Sequence, residues 1–212
     1  MQLSNRLLAN AALAGLGGFP VIVVALHLVQ RGSYHPLHQA LSELALGRGG
    51  WAMWIAFCAA GTGMLCLAVL HRRLVAGSVA APILLSIACV LSYVSAAFHA
   101  DPDGVSTRHG TIHQTAGIVE FVLIVVAMFV SARRFRRDER WRQLARPTIV
   151  WAACAVVGFF LIPTLGNSLF GLAQRIFIAT WLSWLLYLAA QIRASEDAVP
   201  ATLPLEHAET TA

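Results

Sequence analysis

The sequence has 212 residues, of which 58% are hydrophobic and only 12% charged, and its mean hydropathy is +0.70. A soluble domain carries about 25% charged residues, so this composition excludes an ordinary soluble globule and a disordered chain. All 15 basic residues are arginine, and against 10 acidic residues they give a net charge of +5.

Six stretches of the chain are long and almost free of charge, with only Glu120 and Arg175 interrupting them. A helix of about 20 apolar residues crosses the hydrocarbon core of a bilayer. The predicted fold class is therefore all-α: a polytopic integral membrane protein with a bundle of six transmembrane helices. The predicted spans are residues 11–30, 51–70, 79–99, 111–131, 148–166 and 171–191.

The spans belong to one predicted membrane domain, residues 1–193. The first apolar run is too long for the h-region of a signal peptide and predicts a retained helix. Residues 194–212 are acidic and contain Pro, Ala and Thr, which predicts a disordered cytoplasmic tail.

Arginine placement predicts the orientation. One side of the predicted membrane carries eleven of the fifteen: Arg6, Arg72, Arg73, Arg133, Arg134, Arg136, Arg137, Arg140, Arg142, Arg146 and Arg193. The positive-inside rule then places both termini in the cytoplasm, in a plasma (inner) membrane. The basic run at 133–146 is typical of a juxtamembrane segment that meets anionic lipid headgroups, so the lipid bilayer is the predicted partner and nucleic acid is not.

The loop after the first span carries helix signals of its own. Pro36 is placed to start a short helix, and Gly47 is placed to end it. Apolar residues repeat on one face between them, which predicts an amphipathic helix on the outer surface of the membrane.

The densest polar cluster runs from the end of span 3 to the start of span 4. It contains Ser95, His99, Asp101, His109 and His113. Residues four apart share a helix face, and neutral imidazoles with a carboxylate are the usual ligands of zinc, copper or non-haem iron. The pattern predicts a divalent metal, zinc by preference, held by His99, His109 and His113.

Two other interpretations of this cluster remain open. Asp-Pro-Asp-Gly, residues 101–104, is an ordinary turn sequence, and histidines near helix ends can be interfacial or can bind haem, although the sequence has no CxxCH motif. HExxH, GxSxG and phosphate-binding motifs are also missing.

Glu120 is an acidic residue inside a predicted span. An ionisable side chain there costs about 2.5–3.5 kcal/mol on insertion scales and faces the bundle interior. His113, Gly117 and Glu120 would form one stripe along the fourth helix. Glu120 is thus a catalytic or proton-relay candidate, or a neutral acid bonded to a neighbouring helix. Arg175, inside the sixth span, would either reach the interface or pair with an acidic residue.

Several short motifs resemble one family of bacterial and archaeal membrane proteins, catalogued as domain of unknown function 998. They are Leu41–Gly47 before span 2, Phe98–Asp101 and Gly110–His113 across the third loop, and Gly171–Arg175 with Trp184 in span 6. The resemblance covers nearly the whole chain. It implies a six-helix integral membrane protein and names no mechanism.

A second resemblance concerns chemistry. Ser95 with His99, Asp101, and His109 with His113 are similar in form to the Ser-x3-His, Asp and His-x3-His motifs of the seven-helix zinc amide hydrolases, the alkaline ceramidases and adiponectin-type receptors. In that superfamily the residues come from helices far apart in sequence, whereas here they belong to one hairpin.

Three functional hypotheses follow. The first is a metal-dependent, lipid-directed hydrolase at the outer face, with Ser95, Asp101 and Glu120 as catalytic residues. The second is a small proton-coupled transporter that uses Glu120 and Arg175. The third is a sensor or structural protein whose outer histidines respond to pH or bind a partner.

Overall fold

The computed structural model describes residues 3–102 and 104–197. Six α-helices fill most of this part of the chain, and it contains no β-strand. Each helix is long and apolar enough to cross a membrane, which confirms the predicted six-helix fold. Their bounds are α1 Asn5–Val29, α2 Trp51–Leu74, α3 Ala80–Ala97, α4 Arg108–Phe135, α5 Ala145–Thr164 and α6 Gly166–Asp197.

The helices extend beyond the predicted spans at several ends. The N-terminus of α1 lies at Asn5, where the Ser4 side chain accepts a hydrogen bond from the amide of Leu7 at 3.2 Å. The end of α6 lies at Asp197, and the rest of the predicted tail, 198–212, falls outside the described residues, as does Asp103. The predicted amphipathic helix in the first loop begins at Leu41 and not at Pro36: it is a 3₁₀ helix, Leu41–Leu46, which ends at Gly47 as expected. We call it the 3₁₀ segment.

The six helices pack as a ring. Each helix contacts its neighbours in sequence, and α1 also packs against α6. We call the end with the α1–α2, α3–α4 and α5–α6 loops the histidine end, and the opposite end, with the α2–α3 and α4–α5 loops, the arginine end. In a bilayer the hydrophobic effect does not drive helices together, so small residues that allow close packing stabilise their association. Many of the fully buried positions in the ring are alanines.

The arginine half of the ring is filled by large side chains. Fully buried residues there include Leu70, Phe135, Trp141 and Trp184. The Trp141 indole N–H donates to the carbonyl oxygen of Leu74 at 3.0 Å, which joins the α4–α5 loop to the end of α2. The solid part of the core therefore lies at this end, and the open space of the ring lies at the other.

The outer surface of the ring is apolar, as a lipid environment requires. Val21 is 69% exposed, Trp51 73% and Phe160 63%, on three different helices. A soluble protein rarely exposes so continuous an apolar surface. The helices therefore place these side chains in the hydrocarbon of a bilayer.

The closest helix contact joins α1 and α2. A side chain on Gly15 would collide with the backbone carbonyl oxygen of Ala59, and one on Gly63 would meet the side chain of Leu16. Both positions therefore need glycine for the two backbones to approach.

Gly15→Ala should destabilise the protein by about 1–3 kcal/mol, because the added methyl group has no space against the α2 backbone. Gly17→Ala is the matched control, since a methyl group there meets no atom within 4 Å and raises helix propensity. Thermal unfolding in detergent should give a lower midpoint for the first variant and an equal or higher one for the second. Equal midpoints for both variants would contradict the assigned contact.

Candidate functional site

A cavity of about 700 Å³ occupies the histidine half of the ring. All six helices and the 3₁₀ segment contribute to its wall. Six aromatic side chains line it: Phe19, Phe57, Phe121, Phe159, Phe170 and Trp181. Its size and apolar wall match those of small-molecule sites, which typically measure about 300–1,000 Å³ and contain a few convergent polar groups.

Glu120 lies at the inner part of this cavity. It is twelve residues from the start of α4, or about 18 Å at 1.5 Å per residue, which places it near the middle of the bundle. The predicted stripe is confirmed, because His113, Gly117 and Glu120 all line the cavity. Glu120 is only 5% exposed, so the cavity is its immediate environment.

The hydroxyl of Ser92, on α3, is the hydrogen-bonding side chain next to the Glu120 carboxyl. Ser92 donates its own proton to the carbonyl oxygen of Phe57 at 3.1 Å. The Ser92 hydroxyl has a single proton, for which the Phe57 carbonyl and the Glu120 carboxyl compete.

Two buried polar atoms in the cavity wall have no hydrogen-bond partner. They are the hydroxyl oxygen of Ser95 on α3 and the indole nitrogen of Trp181 on α6. Buried polar groups are almost always paired, and each unpaired one costs about 1–3 kcal/mol. Both residues contribute to the cavity wall, although the two atoms themselves are covered by protein.

Asp101 also lines the cavity, but both of its carboxylate oxygens are engaged. One accepts from the backbone amide of Thr107 at 2.6 Å, and the other from the Thr107 hydroxyl at 2.7 Å. The Thr107 hydroxyl oxygen in turn accepts from the Gly110 amide and caps α4. The side-chain and backbone hydrogen bonds from Thr107 hold the pKa of Asp101 below its usual value. Asp101 therefore fixes the start of α4.

His113 is half-buried in the cavity wall. Its Nδ1 atom lies 2.8 Å from the carbonyl oxygen of Phe98 and 3.1 Å from that of Ser95. Since both partners are acceptors, Nδ1 carries a proton. His113 is the one predicted metal ligand that reaches the main cavity.

The other two predicted metal ligands lie apart from it. His99 is exposed and lines, with Ser95 and His113, a separate crevice of about 40 Å³. His109 is exposed, and its ring centroid lies 5.2 Å from that of Phe98. Within residues 3–102 and 104–197, no group of three His, Cys, Asp or Glu side chains is arranged to hold a metal ion. This part of the chain does not support the predicted zinc site.

Arg175 holds the loop between α1 and α2 against α6. Its guanidinium donates to the carbonyl oxygens of Gln39 at 3.0 Å and Gly171 at 2.7 Å, and to the hydroxyl of Tyr34. Burial raises the pKa of Tyr34, so the phenol keeps its proton and donates it to the carbonyl oxygen of Ala40 at 2.8 Å. Arg175 lies 3.3 Å from the His27 ring nitrogen and forms no ion pair among the described residues.

These contacts position the 3₁₀ segment over the cavity. The amide of Leu41 donates to the Gln174 side chain at 2.7 Å, and the buried Glu43 carboxylate accepts from the amide of Ala40 at 2.7 Å. Leu41 and Glu43 also line the cavity. Arg175 thus supports one wall of the cavity through the loop rather than lining it.

Sequence reasoning missed the α6 side of the site. Gln174, Ile178 and Trp181 all line the cavity at the i, i+4, i+7 spacing of one helix face. That spacing is present in the sequence. In the sequence, however, the polar residues cluster in the third loop and direct attention there. A tryptophan within an apolar span gives no comparable signal.

The sequence matches the family described as "Protein of unknown function (DUF998)" over residues 13–191. No curated protein and no solved structure matches the chain.

Asp101→Ala should lower the thermal midpoint at neutral pH, because α4 loses its N-terminal bracing. Since the pKa of Asp101 is lower in the folded than in the unfolded protein, this contribution is complete above about pH 3.9 and is lost as the pH falls through the folded-state value. Thermal scans from pH 7 to pH 3 should show the gap between the proteins closing in acid. A gap that stays constant, or one equally large for the exposed control Glu139→Ala, would be inconsistent with this role.

Arg175→Leu should loosen the α1–α2 loop while α2 itself stays folded. Amide hydrogen exchange of residues 34–43 should become at least about tenfold faster, since loss of these bonds lowers the local opening free energy. Arg146→Leu is the control, because Arg146 is exposed. Unchanged exchange over 34–43 in Arg175→Leu would show that the loop is held by other contacts.

Proposed function

Since the chain belongs to the DUF998 family, whose description specifies no activity, we propose a function from the cavity itself: this multi-pass membrane protein binds a small amphiphile inside its helix bundle. The observation that supports the proposal is a cavity of about 700 Å³ whose wall is largely aromatic and apolar and contains a few polar side chains. An apolar pocket with few convergent polar groups is the usual form of a ligand site.

The wall of the cavity supports access from the lipid. Gln114 and Ile118 of α4, and Pro163 and Asn167 across the α5–α6 turn, are exposed and also line the cavity. The ring is thus open between α4 and α5 near the histidine end. An amphiphile dissolved in the bilayer can reach the cavity there without crossing the polar loops.

The arginine distribution supports an opening in the outer leaflet. Most arginines lie at the arginine end, and the positive-inside rule assigns that end to the cytoplasm. In this orientation, the cavity opens towards the outer half of a plasma membrane and is closed on the cytoplasmic side by the large buried side chains.

Binding of an amphiphile is the step that a lipid-directed hydrolase and a proton-coupled carrier share. The carrier hypothesis requires an ionisable group in the cavity, and Glu120 fits it. Arg175 supports the loop instead of lining the path. The hydrolase hypothesis requires a metal cluster, for which the described residues give no support.

Gly117→Leu should block the cavity without disturbing the fold. Gly117 lines the cavity, and a side chain there meets no atom within 4 Å, so the leucine would extend into the open space. Gly18→Leu is the matched control, because Gly18 also has free space but is not part of the cavity wall. The neutral probe is triphenylphosphine oxide, which combines an apolar body with one strong hydrogen-bond acceptor.

Equilibrium dialysis against protein in phosphatidylcholine nanodiscs, with empty nanodiscs subtracted, should show saturable binding of this probe to wild type and to Gly18→Leu. Gly117→Leu should weaken binding by about tenfold or more, as expected for loss of well-packed apolar contacts. Equal binding to all three proteins, or to none, would overturn the proposed function.

A further inference from the structure

The ionisable side chains that line the cavity are nearly all acidic. Among the described residues they are Glu43, Asp101 and Glu120, with His113 as the fourth. None of the chain's 15 arginines lines it. The protein has a net positive charge, yet no arginine lines its cavity. An anionic ligand would meet three carboxyl groups and one histidine in a low-dielectric environment, which is unfavourable.

The three carboxylates differ in what is left for a ligand. Asp101 is engaged by Thr107, and Glu43 by the amide of Ala40 and the side chain of Gln39. Glu120 has only the Ser92 hydroxyl beside it, and it lies deepest. It is therefore the carboxyl group that is free to act as a counter-ion.

The aromatic wall provides the second half of a cation site. Phe121 packs edge-on against Phe177 at 4.9 Å and lies 6.4 Å from Trp181, next to Glu120 in sequence. The faces of aromatic rings attract organic cations, more strongly where the site excludes water. Quaternary ions have no N–H group to satisfy, and so suit an apolar wall better than a primary ammonium.

We propose that the ligand class of the cavity is a lipophilic quaternary cation, with Glu120 as its counter-ion. This inference rests on the proposed function and specifies the charge of the ligand. Glu120 in its neutral form releases its proton to water at the cavity mouth when the cation binds, which leaves a carboxylate–cation pair in the cavity and one proton in solution. The net charge inside the bundle is therefore the same with the neutral acid as with the carboxylate–cation pair.

The other titratable groups around Glu120 define what else responds to pH. Cys89 of α3 lies near Glu120, His113 belongs to α4, Glu43 to the 3₁₀ segment and Asp101 to the third loop. The described residues of α1, α2, α5 and α6 contribute no charged side chain to the cavity wall. Of these groups, Glu120 is the one that a cation bound deep in the cavity would contact.

Tetraphenylphosphonium is the cationic probe and triphenylphosphine oxide its neutral counterpart, both measured on the full chain in phosphatidylcholine nanodiscs. The affinity for tetraphenylphosphonium should rise about tenfold per pH unit over the range in which Glu120 is protonated, because one proton leaves for each cation bound. Calorimetry in buffers of different ionisation enthalpy should report release of about one proton per cation. Affinity for the neutral probe should not change with pH.

Glu120→Gln should weaken cation binding by about tenfold or more and abolish its pH dependence, while binding of the neutral probe stays within about twofold. Glu139→Gln is the matched control, because Glu139 is exposed at the arginine end. If Glu120→Gln fails to fold, proton release by the wild-type protein decides the question, since a cation bound among the lipid-facing apolar side chains would release none.

The outcomes separate this inference from the proposed function. Neutral-probe binding that is sensitive to Gly117→Leu, together with cation binding that is absent or independent of pH, would overturn only the inference. If neither probe shows binding that Gly117→Leu weakens, the proposed function is overturned as well.

Discussion

A polar group inside a bilayer must find its partner within the protein, because the hydrocarbon offers none. Glu120 is where this constraint bears most heavily on the chain. It lies near the middle of the ring, almost fully buried, with the Ser92 hydroxyl beside it and with the proton of that hydroxyl donated to the Phe57 carbonyl. A carboxyl group in that position is stable when it is neutral or when a cation joins it. The cavity beside it allows both states, which gives the same residue a resting form and a ligand-bound form.

The open half of the ring exists because the rest of the structure keeps the helices apart there. Large side chains fill the arginine half, and glycines bring α1 and α2 together at Gly15 and Gly63. At the histidine end, Asp101 braces the start of α4, and Arg175 ties the α1–α2 loop to α6. Asp101 and Arg175, which the sequence suggests as functional groups, thus have structural roles. They brace the loops around the cavity at the histidine end.

The sequence predicts the large features well, because they follow from local composition. The six spans depend on apolar length, and the Glu120 stripe depends on helical periodicity, so both follow from the amino-acid sequence alone. Asp101, by contrast, resembles a ligand or catalytic group in the sequence because its partner Thr107 is an ordinary residue in a turn. The contacts of Arg175 join residues about 140 positions apart, and no local pattern encodes them. A cavity inside the ring depends on how all six helices pack together. Sequence patterns therefore predict neither the cavity nor the place of Trp181 in its wall.

The most direct test of a ligand site at Glu120 is a crystal structure of the protein with (4-iodophenyl)triphenylphosphonium. The anomalous signal of iodine locates the probe without interpretation of weak density. We expect a peak inside the ring, within the wall formed by Phe57, Phe121 and Trp181, with the phosphonium centre near the carboxyl group of Glu120. A peak confined to the lipid-facing surface, or a cavity closed by collapse of its lining side chains, would contradict the account.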